Sequence, residues 1–255
     1  CKSFLESFIN TSKFPLTKLS SMTSSETAKI IENSYRAVNI AFIEEWARFS
    51  EKVGINCFEI IEAIKKRPTH NNIRQPGLGV GGYCLTKDPY FASVSANQIL
   101  DIKNLNFPFS EMGLAINKEM PKANINLLKS RIGSLKNKKV LVLGATYRSE
   151  VDDLRNSPSE TLINKLKKDN AKVLIHDPYI TKWKNYKVVL KLPDPKAFDI
   201  LIIAVNHSFY KKLNFINWIK KRKKVIFDTS NILKEKSRLK LIENGCLIIT
   251  TGRGD

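Results

Sequence analysis

One cysteine closes a glycine cluster: Gln75-Pro76-Gly77-Leu78-Gly79-Val80-Gly81-Gly82-Tyr83-Cys84-Leu85-Thr86-Lys87-Asp88-Pro89. Four glycines within six residues free the backbone from the usual steric limits and let it run close to a ligand. Cys84 is followed at three and four residues by Lys87 and Asp88. A fixed positive charge beside a thiol favours the thiolate, which is the nucleophilic form. A plainer reading stands beside this one, a glycine-rich turn ahead of a buried thiol, because unpaired cysteine is among the most buried residue types.

A second candidate group lies upstream. Lys29 and Asn33 are four apart in a helical pattern and so project from one face. An ammonium and an amide at that spacing can point at one oxygen that gains charge in a transition state. They can equally be a polar stripe on a surface helix.

The elements that must hold these groups fall into two kinds. Residues 1 to 23 predict a short helix, a strand near Leu16 to Leu19 and a serine-rich turn. Thr23-Ser24-Ser25-Glu26 has the form of a capping box, and a long helix runs from there to about Lys52, ended by Gly54. Ala28, Ile31, Tyr35, Val38, Phe42, Trp46 and Phe49 recur at steps of three and four, an apolar stripe widened by Ile30, Ala37, Ala41 and Ala47. Such a helix is buried on more than one side. Further helices are expected from Cys57 to Lys66, from Pro89 to Gln98 and from Phe109 to Ile132, with Gly133 as the stop. Lys136-Asn137-Lys138-Lys139 reads as a hinge. Beyond it the period changes. Val140–Leu143, Val173–Ile175, Ile200–Ala204, Val225–Phe227 and Leu247–Ile249 are continuous apolar runs separated by helical patterns, the signature of a parallel sheet covered on both faces. The expected fold is α/β: an all-helical domain over 1–133, then a Rossmann-like parallel-sheet domain over 134–255.

Three stretches together resemble the UDP-glucose/GDP-mannose dehydrogenase family of nucleotide-sugar 6-dehydrogenases. The loop ending in Cys84 is similar to the family's catalytic-cysteine loop. Glu26 to Phe42 resembles its central helix. Val140-Leu141-Val142-Leu143-Gly144-Ala145-Thr146-Tyr147-Arg148, continuing into Asp152-Asp153-Leu154-Arg155-Asn156-Ser157-Pro158, resembles the opening of its UDP-binding domain. The resemblance covers nearly the whole chain. It implies oxidation of a UDP-sugar C6 alcohol to the uronic acid, with Cys84 holding first a thiohemiacetal and then a thioester that water hydrolyses. Cys84, Lys29, Asn33 and Asp88 match the catalytic positions, with Asp88 positioning or activating water and Lys87 favouring charge near the thiolate. Lys87, Gly79, Gly81, Gly82, Tyr147 and Arg148 are the implied substrate contacts. The family usually carries lysine where Arg148 stands, and arginine keeps the charge while changing the geometry. Arg155 is the implied cofactor contact, or pairs only with Asp152 and Asp153. Arg67 or Arg74 matches an arginine that reaches a neighbouring subunit, and the long helix near 24–52 is the implied homodimer core.

The NAD implied as cofactor would be bound mainly by a domain absent here. A dinucleotide fingerprint needs a strand, G-x-G-x-x-G opening a helix, and a later acidic residue. Gly77-x-Gly79-x-x-Gly82 satisfies the string but follows Arg74-Gln75-Pro76, not an apolar strand. With Cys1 rather than methionine first, the chain reads as the C-terminal part of a longer or split polypeptide, inactive alone. The alternative is a non-catalytic nucleotide-sugar-binding or dimerisation module.

Composition bounds the remaining classes. Among 255 residues, 42% are hydrophobic, enough to bury substantial cores. No apolar run reaches the roughly 18 residues that cross a bilayer. Cys1, Cys57, Cys84 and Cys246 form no C-x-x-C pair, and His70, His176 and His207 lack metal-ligand spacing, so no metal is expected and a reducing cytoplasm fits. A net charge of +19 makes nucleic-acid binding the rival. However, runs such as Lys165-Leu166-Lys167-Lys168 and Lys220-Lys221-Arg222-Lys223-Lys224 fit helix faces and C-termini, and the sequence holds no RNA-binding, helix-turn-helix or zinc-finger pattern. The same field suits an anionic UDP-sugar. Asp177, Asp228-Thr229 and His207, at strand ends, read as turn, cap or crevice-edge residues.

Overall fold

A computed structural model describes residues 2–254. After a short helix α1 (Lys2–Glu6), α2 runs over 32 residues from Met22 to Val53 and ends on Gly54 in the left-handed region at φ 80°. Next come α3 (Cys57–Ile64), the glycine loop, a 3₁₀ turn at Asp88–Tyr90, α4 (Phe91–Val94) continuing as a π-helical turn to Ile99, and α5 (Pro108–Ile132). The sheet follows, with β1 (Lys139–Leu143), α6 (Pro158–Lys168), β2 (Lys172–His176), β3 (Val188–Val189), β4 (Ile200–Ile203), α7 (Ser208–Lys212), α8 (Phe215–Ile219), β5 (Val225–Asp228), α9 (Glu235–Glu243) and β6 (Leu247–Thr250). Within the sheet all strand pairings are parallel, in the order β3-β2-β1-β4-β5-β6. This is the doubly wound arrangement, whose direction reverses between β1 and β4.

The alternation of side chains along each strand divides the core. Val140, Val142, Ile200, Ile202 and Phe227 face Leu162, Ile163 and Leu166 of α6. Leu141, Leu143, Leu201, Ile203 and Ile226 face Tyr210, Phe215, Ile219 and Leu241 on the other side. The first cluster also takes in Ile125 and Leu128 of α5 and Leu78 of the glycine loop. One core therefore joins the helical half to the sheet.

Polar ties reinforce that junction. Asn124 of α5, fully buried, donates to the carbonyls of Gly77 (3.1 Å) and Met120 (2.9 Å), and its amide oxygen accepts from Thr251 beyond β6. The same tail docks on α2 and α3. The Gly252 N–H donates to Glu51 Oε1 (2.8 Å), and the Cys57 N–H donates to the Gly252 carbonyl (3.0 Å).

Several sequence expectations need correction. No strand forms at Leu16–Leu19; these residues are irregular. They follow Pro15, and the sheet's edges belong to β3 and β6. The cap of α2 is Ser21, whose hydroxyl accepts from the Ser24 N–H (3.0 Å); an earlier hydroxyl was available, so Thr23–Glu26 form the first turn instead. The helix expected over 89–98 is divided into 3₁₀, α and π turns. The stretch read as a hinge is anchored, since the Asn137 N–H donates to the Asn170 carbonyl (2.9 Å) and Lys139 already belongs to β1. The strand Val188–Val189 had no forecast.

On α2 the buried face is Ala37, Ala41 and Ala47 with Ile43, small residues that allow close packing on α5. The bulky stripe points the other way: Ile31, Tyr35, Phe42, Trp46 and Phe49 are each about half exposed or more. Glu44 on the inner side is 5% exposed and paired with Arg48 (2.8 Å). Burial raises its carboxyl to about 7 against the opposing pull of Arg48. The folded chain thus keeps a proton that the unfolded chain has lost. Stability from this group is greatest below the ordinary carboxylate range, falls as pH rises and is lowest above about 7. Glu44→Gln is expected to be more stable than the parent near pH ~8 by roughly 1–3 kcal/mol and close to it near pH ~4 in urea unfolding; an equal effect at both pH values would refute the assignment.

Candidate active site

The glycine loop lies against the carboxyl edge of the sheet. Gly81 approaches so closely that a Cβ there would sit 2.6 Å from the Asn156 carbonyl and 2.7 Å from Tyr147 Cβ and Pro158 Cδ. At Gly82, φ is 82° and a Cβ would sit 2.8 Å from the Tyr147 ring. Backbone bonds fix the approach. The Gly82 N–H donates to the Arg155 carbonyl (2.9 Å), and Asn156 Nδ2 donates to the Gly82 carbonyl (3.0 Å). Ser157 then caps α6, with Pro158 in its first turn as expected. Close approach of the loop is therefore met by protein atoms of the second half, a role for these glycines that the sequence did not reveal.

Beyond Gly82 the chain turns, and Cys84 is exposed at its tip. The Cys84 carbonyl accepts from the N–H groups of Lys87 (3.1 Å) and Asp88 (2.8 Å), which brings those two side chains beneath the thiol-bearing turn. Asp88, 9% exposed, is held from both sides. Asn33 Nδ2 of α2 donates to Oδ2 (2.8 Å) and Lys87 Nζ donates to Oδ1 (2.7 Å). The Lys87 ammonium also lies over the rings of Tyr83 (4.4 Å) and Phe91 (4.3 Å). Its hydrogen bond to Asp88 comes first among the influences that raise its pKa above the ordinary lysine value.

The structure joins Cys84, Lys87, Asp88 and Asn33 into one assembly. Lys29 stands one turn before Asn33 but pairs with Glu32 (2.9 Å) instead of sharing a target with the amide. That exposed i,i+3 pair is the local competitor the spacing could not rule out. Arg155 resolves toward Asp153, which it holds with two nitrogens, at 2.6 Å from Nη2 and 3.0 Å from Nε; its guanidinium also lies 5.9 Å from the Tyr83 ring. Arg67 is exposed, whereas Arg74 is half-buried with its N–H bound to Asn39 Oδ1 (3.1 Å).

A crevice of about 230 Å³ opens where the sheet reverses direction, lined by Gly77–Gly79, Thr146–Ser149, Ala204–Asn206 and Ser230. Arg148 is exposed there and has no carboxylate partner among the described residues. Asp177 and His207 are buried and bond to the turn that lines it. The Asp177 carboxylate accepts from the Ala145 N–H (2.7 Å) and the Tyr179 N–H (2.8 Å) and contacts His207 Nε2 (3.2 Å). Burial pushes that carboxyl up, but the His207 bond and the backbone N–H groups outweigh it and hold it below the ordinary range. Among the described residues no cluster suited to a metal ion occurs, and no helix is long and apolar enough to cross a membrane.

Comparison with known proteins gives consistent matches. Residues 23–119 match the central domain, and residues 141–235 the UDP binding domain, of the UDP-glucose/GDP-mannose dehydrogenase family. The chain is 36% identical over 244 residues to the UDP-N-acetyl-D-mannosamine dehydrogenase of Methanocaldococcus jannaschii, covering 92% of this chain and 52% of that protein. Among solved structures, the NDP-N-acetyl-D-galactosaminuronic acid dehydrogenase of Methanosarcina mazei superposes with a TM-score of 0.81 at 28% identity (92% of this chain, 52% of that one). The UDP-D-ManNAc dehydrogenase of Pyrococcus horikoshii gives 0.79 at 30% identity (100% and 57%). The chain spans about half the length of the curated relatives it matches.

Exposure separates Cys84 from the other described thiols. Cys57 and Cys246 are buried, and burial raises the pKa of both. Iodoacetamide applied to the native chain is expected to label Cys84 at least about tenfold faster than Cys57 or Cys246, read by peptide mass spectrometry. Comparable labelling of all three would show that the exposed turn is wrong.

Proposed function

The chain belongs to the UDP-glucose/GDP-mannose dehydrogenase family, and from that premise we propose that it supplies the nucleotide-sugar site and the covalent nucleophile for NAD-dependent oxidation of a UDP-sugar C6 alcohol to the uronic acid. UDP-N-acetyl-D-mannosamine is the proposed substrate, following the relatives' names. The observation that carries the reading is the exposed Cys84 on a turn whose base is the Asn33–Asp88–Lys87 chain. A module that only binds has no use for that arrangement.

Oxidation to the acid removes two hydrides, and NAD supplies the acceptor when bound. The described residues do not form a dinucleotide site. Between β1 and α6 they carry a single glycine, Gly144, whose missing Cβ makes room for Val205 at 2.4 Å, and no helix opens before Pro158. Arg155 is the one cofactor contact the resemblance places here, and one rim guanidinium does not hold a dinucleotide. The steps assigned to this chain are therefore its own. The Cys84 thiolate adds to the C6 aldehyde, forming a C–S bond while the carbonyl pair moves to oxygen, whose charge Asn33 and Lys29 of α2 are proposed to stabilise, Lys29 once released from Glu32. At the thioester stage Asp88 takes a proton from the attacking water; the C–S bond breaks, the electron pair returns to sulfur and the carboxylate is freed. Tyr147 and Arg148 hold the nucleotide end, and the loop of Gly79, Gly81 and Gly82 runs beside the sugar.

Calorimetric titration tests the binding half. UDP-N-acetyl-D-mannosamine is expected to bind with a dissociation constant of about micromolar order, weakened about tenfold or more by Arg148→Ala, while the chain alone reduces no NAD. Absence of binding to the parent, or binding unaltered in the variant, would sink the reading.

The exposed aromatic face of α2 supports a homodimer through that helix. Trp46→Glu is expected to lower the mass seen in analytical ultracentrifugation from twice to once 29.0 kDa; a parent that sediments as a monomer removes the dimer from the proposal.

A further inference from the structure

The residues proposed to hold the nucleotide, Tyr147 and Arg148, lie on an irregular turn between Gly144 and Glu150 rather than on a helix or strand. What keeps the turn in place is a set of bonds to buried side chains, together with the Tyr147 N–H, which donates to the Asp153 carbonyl (3.0 Å). At its first end Ala145 and Thr146 donate their N–H groups to Asp177 Oδ2 (2.7 and 3.3 Å). In the middle the Thr146 hydroxyl donates to the Arg148 carbonyl (2.9 Å). At its far end Glu150, with φ 62°, donates its N–H to His207 Nδ1 (3.1 Å).

That last bond decides the chemistry of His207. A backbone N–H can only donate, so Nδ1 must present a lone pair and the imidazole proton must sit on Nε2. From there it points at Thr146 Oγ1 (3.1 Å) and Asp177 Oδ2 (3.2 Å), both able to accept, since the Thr146 proton is already given to Arg148. His207 is fully buried and ties both ends of the turn to one ring.

We infer that His207 is a positioning residue for the nucleotide-sugar site, holding the Tyr147–Arg148 turn only as the neutral tautomer with a lone pair on Nδ1. This rests on the proposed assignment of Tyr147 and Arg148 to the substrate. The groups facing the ring are Asp177, Glu150, Tyr179 (rings 5.1 Å apart) and Tyr210 (5.7 Å), with His176 bound to the Tyr210 hydroxyl behind it. A second proton, on Nδ1, would set N–H against N–H at Glu150. The nearest acceptor on that side is Glu150 Oε1 at 3.8 Å, which now accepts from the Ser208 N–H (2.6 Å). Turning to it breaks both the Glu150 and Ser208 bonds, while the Asp177 end stays attached. Without the Nδ1 lone pair the Glu150 N–H loses its acceptor, and the turn is left with the Asp177 end, the Tyr147 N–H on the Asp153 carbonyl (3.0 Å) and the Tyr179 hydroxyl on Glu150 Oε2 (2.6 Å).

The test has two arms. With three histidines in the sequence, imidazole ¹⁵N spectra can be assigned using single His→Asn variants. At about pH 8 the His207 ring should show protonated Nε2 and bare Nδ1, and the opposite tautomer or a cation overturns the inference. Near pH ~8, amide exchange at Glu150 should stay as slow as in the parent in His207→Asn, whose amide oxygen can replace Nδ1, and should accelerate in His207→Leu, which offers no acceptor. Equal behaviour of the two overturns it. The second arm is calorimetry with UDP-N-acetyl-D-mannosamine near pH ~8. His207→Asn should bind within about twofold of the parent, and His207→Leu should bind about fivefold or more weaker. A variant with asparagine that binds as weakly as the one with leucine, or one with leucine that matches the parent, refutes the inference. A parent that does not bind near pH ~8 defeats the substrate assignment instead, leaving the spectra and exchange rates to judge the turn.

Discussion

The docking of the glycine loop onto the sheet's carboxyl edge is the contact on which the rest of the molecule depends. A Cβ at Gly81 would strike the Asn156 carbonyl, Pro158 and Tyr147 together, two of them backbone or ring atoms with little freedom to move. The halves can close only because that atom is missing. Once they close, Leu78 enters the core shared by α5, α6 and β1, and the loop inherits the rigidity of the sheet. Cys84 is then exposed without being mobile in direction, since the residues on both sides of it are bonded: Gly82 to Arg155 and Asn156, Asp88 to Asn33. A nucleophile needs access and a fixed approach at once. A loop packed through its backbone supplies both.

The long helix α2 serves two surfaces that make opposite demands. Its inner face carries alanines, so its axis can approach α5 closely, and a single polar residue, Asn33, is spent on reaching Asp88 from a helix 55 residues away in sequence. Its outer face keeps the bulk: Phe42, Trp46 and Phe49 stack edge to face, with centroids 6.3 and 5.8 Å apart, in the open. Apolar area of that size left in water opposes the sense of the hydrophobic effect, and a second copy covering it removes the conflict. A helix pinned from outside in this way also fixes the height at which Asn33 meets Asp88, so the proposed dimer and the proposed chemistry share one mechanical element.

Much of this was legible from residue order. Continuous apolar runs located five strands within a residue or two, because a strand buried on both faces has no polar positions to blur its edges. The sixth, Val188–Val189, is two residues long and carries no period to detect. The cysteine loop announced itself by glycine density, and its lysine and aspartate by short spacing. What spacing could not settle were choices between nearby partners. Lys29 has Glu32 three residues on and Asn33 four, and charge wins over shared purpose. Arg155 had two adjacent aspartates and takes Asp153. The apolar stripe of α2 was visible, but periodicity gives the phase of a stripe and not which neighbour it faces. The partners of Asn124 and His207 were not legible, because Gly77 lies 47 residues from the first, Asp177 and Glu150 lie 30 and 57 from the second, and only the closed fold brings them together.

Charge pairing around the loop bears on which end of a substrate goes where. The chain carries a formal charge of +19, yet its cations near Cys84 are largely committed: Lys87 to Asp88, Arg155 to Asp153 and Lys29 to Glu32. A committed cation offers an incoming anion little, since binding it means giving up an existing pair or sharing one. Arg148, beside the crevice where the sheet reverses, has no such partner among the described residues and presents a fork that can hold two phosphate oxygens. Under the proposed function the diphosphate therefore belongs over Arg148. The sugar then extends along the glycine loop toward the thiol, where near-neutral pairs leave a polar but unbiased surface suited to an uncharged hydroxymethyl group. The order of the two ends follows from which cations are already spoken for, and not from the total charge, which would draw an anion to almost any face.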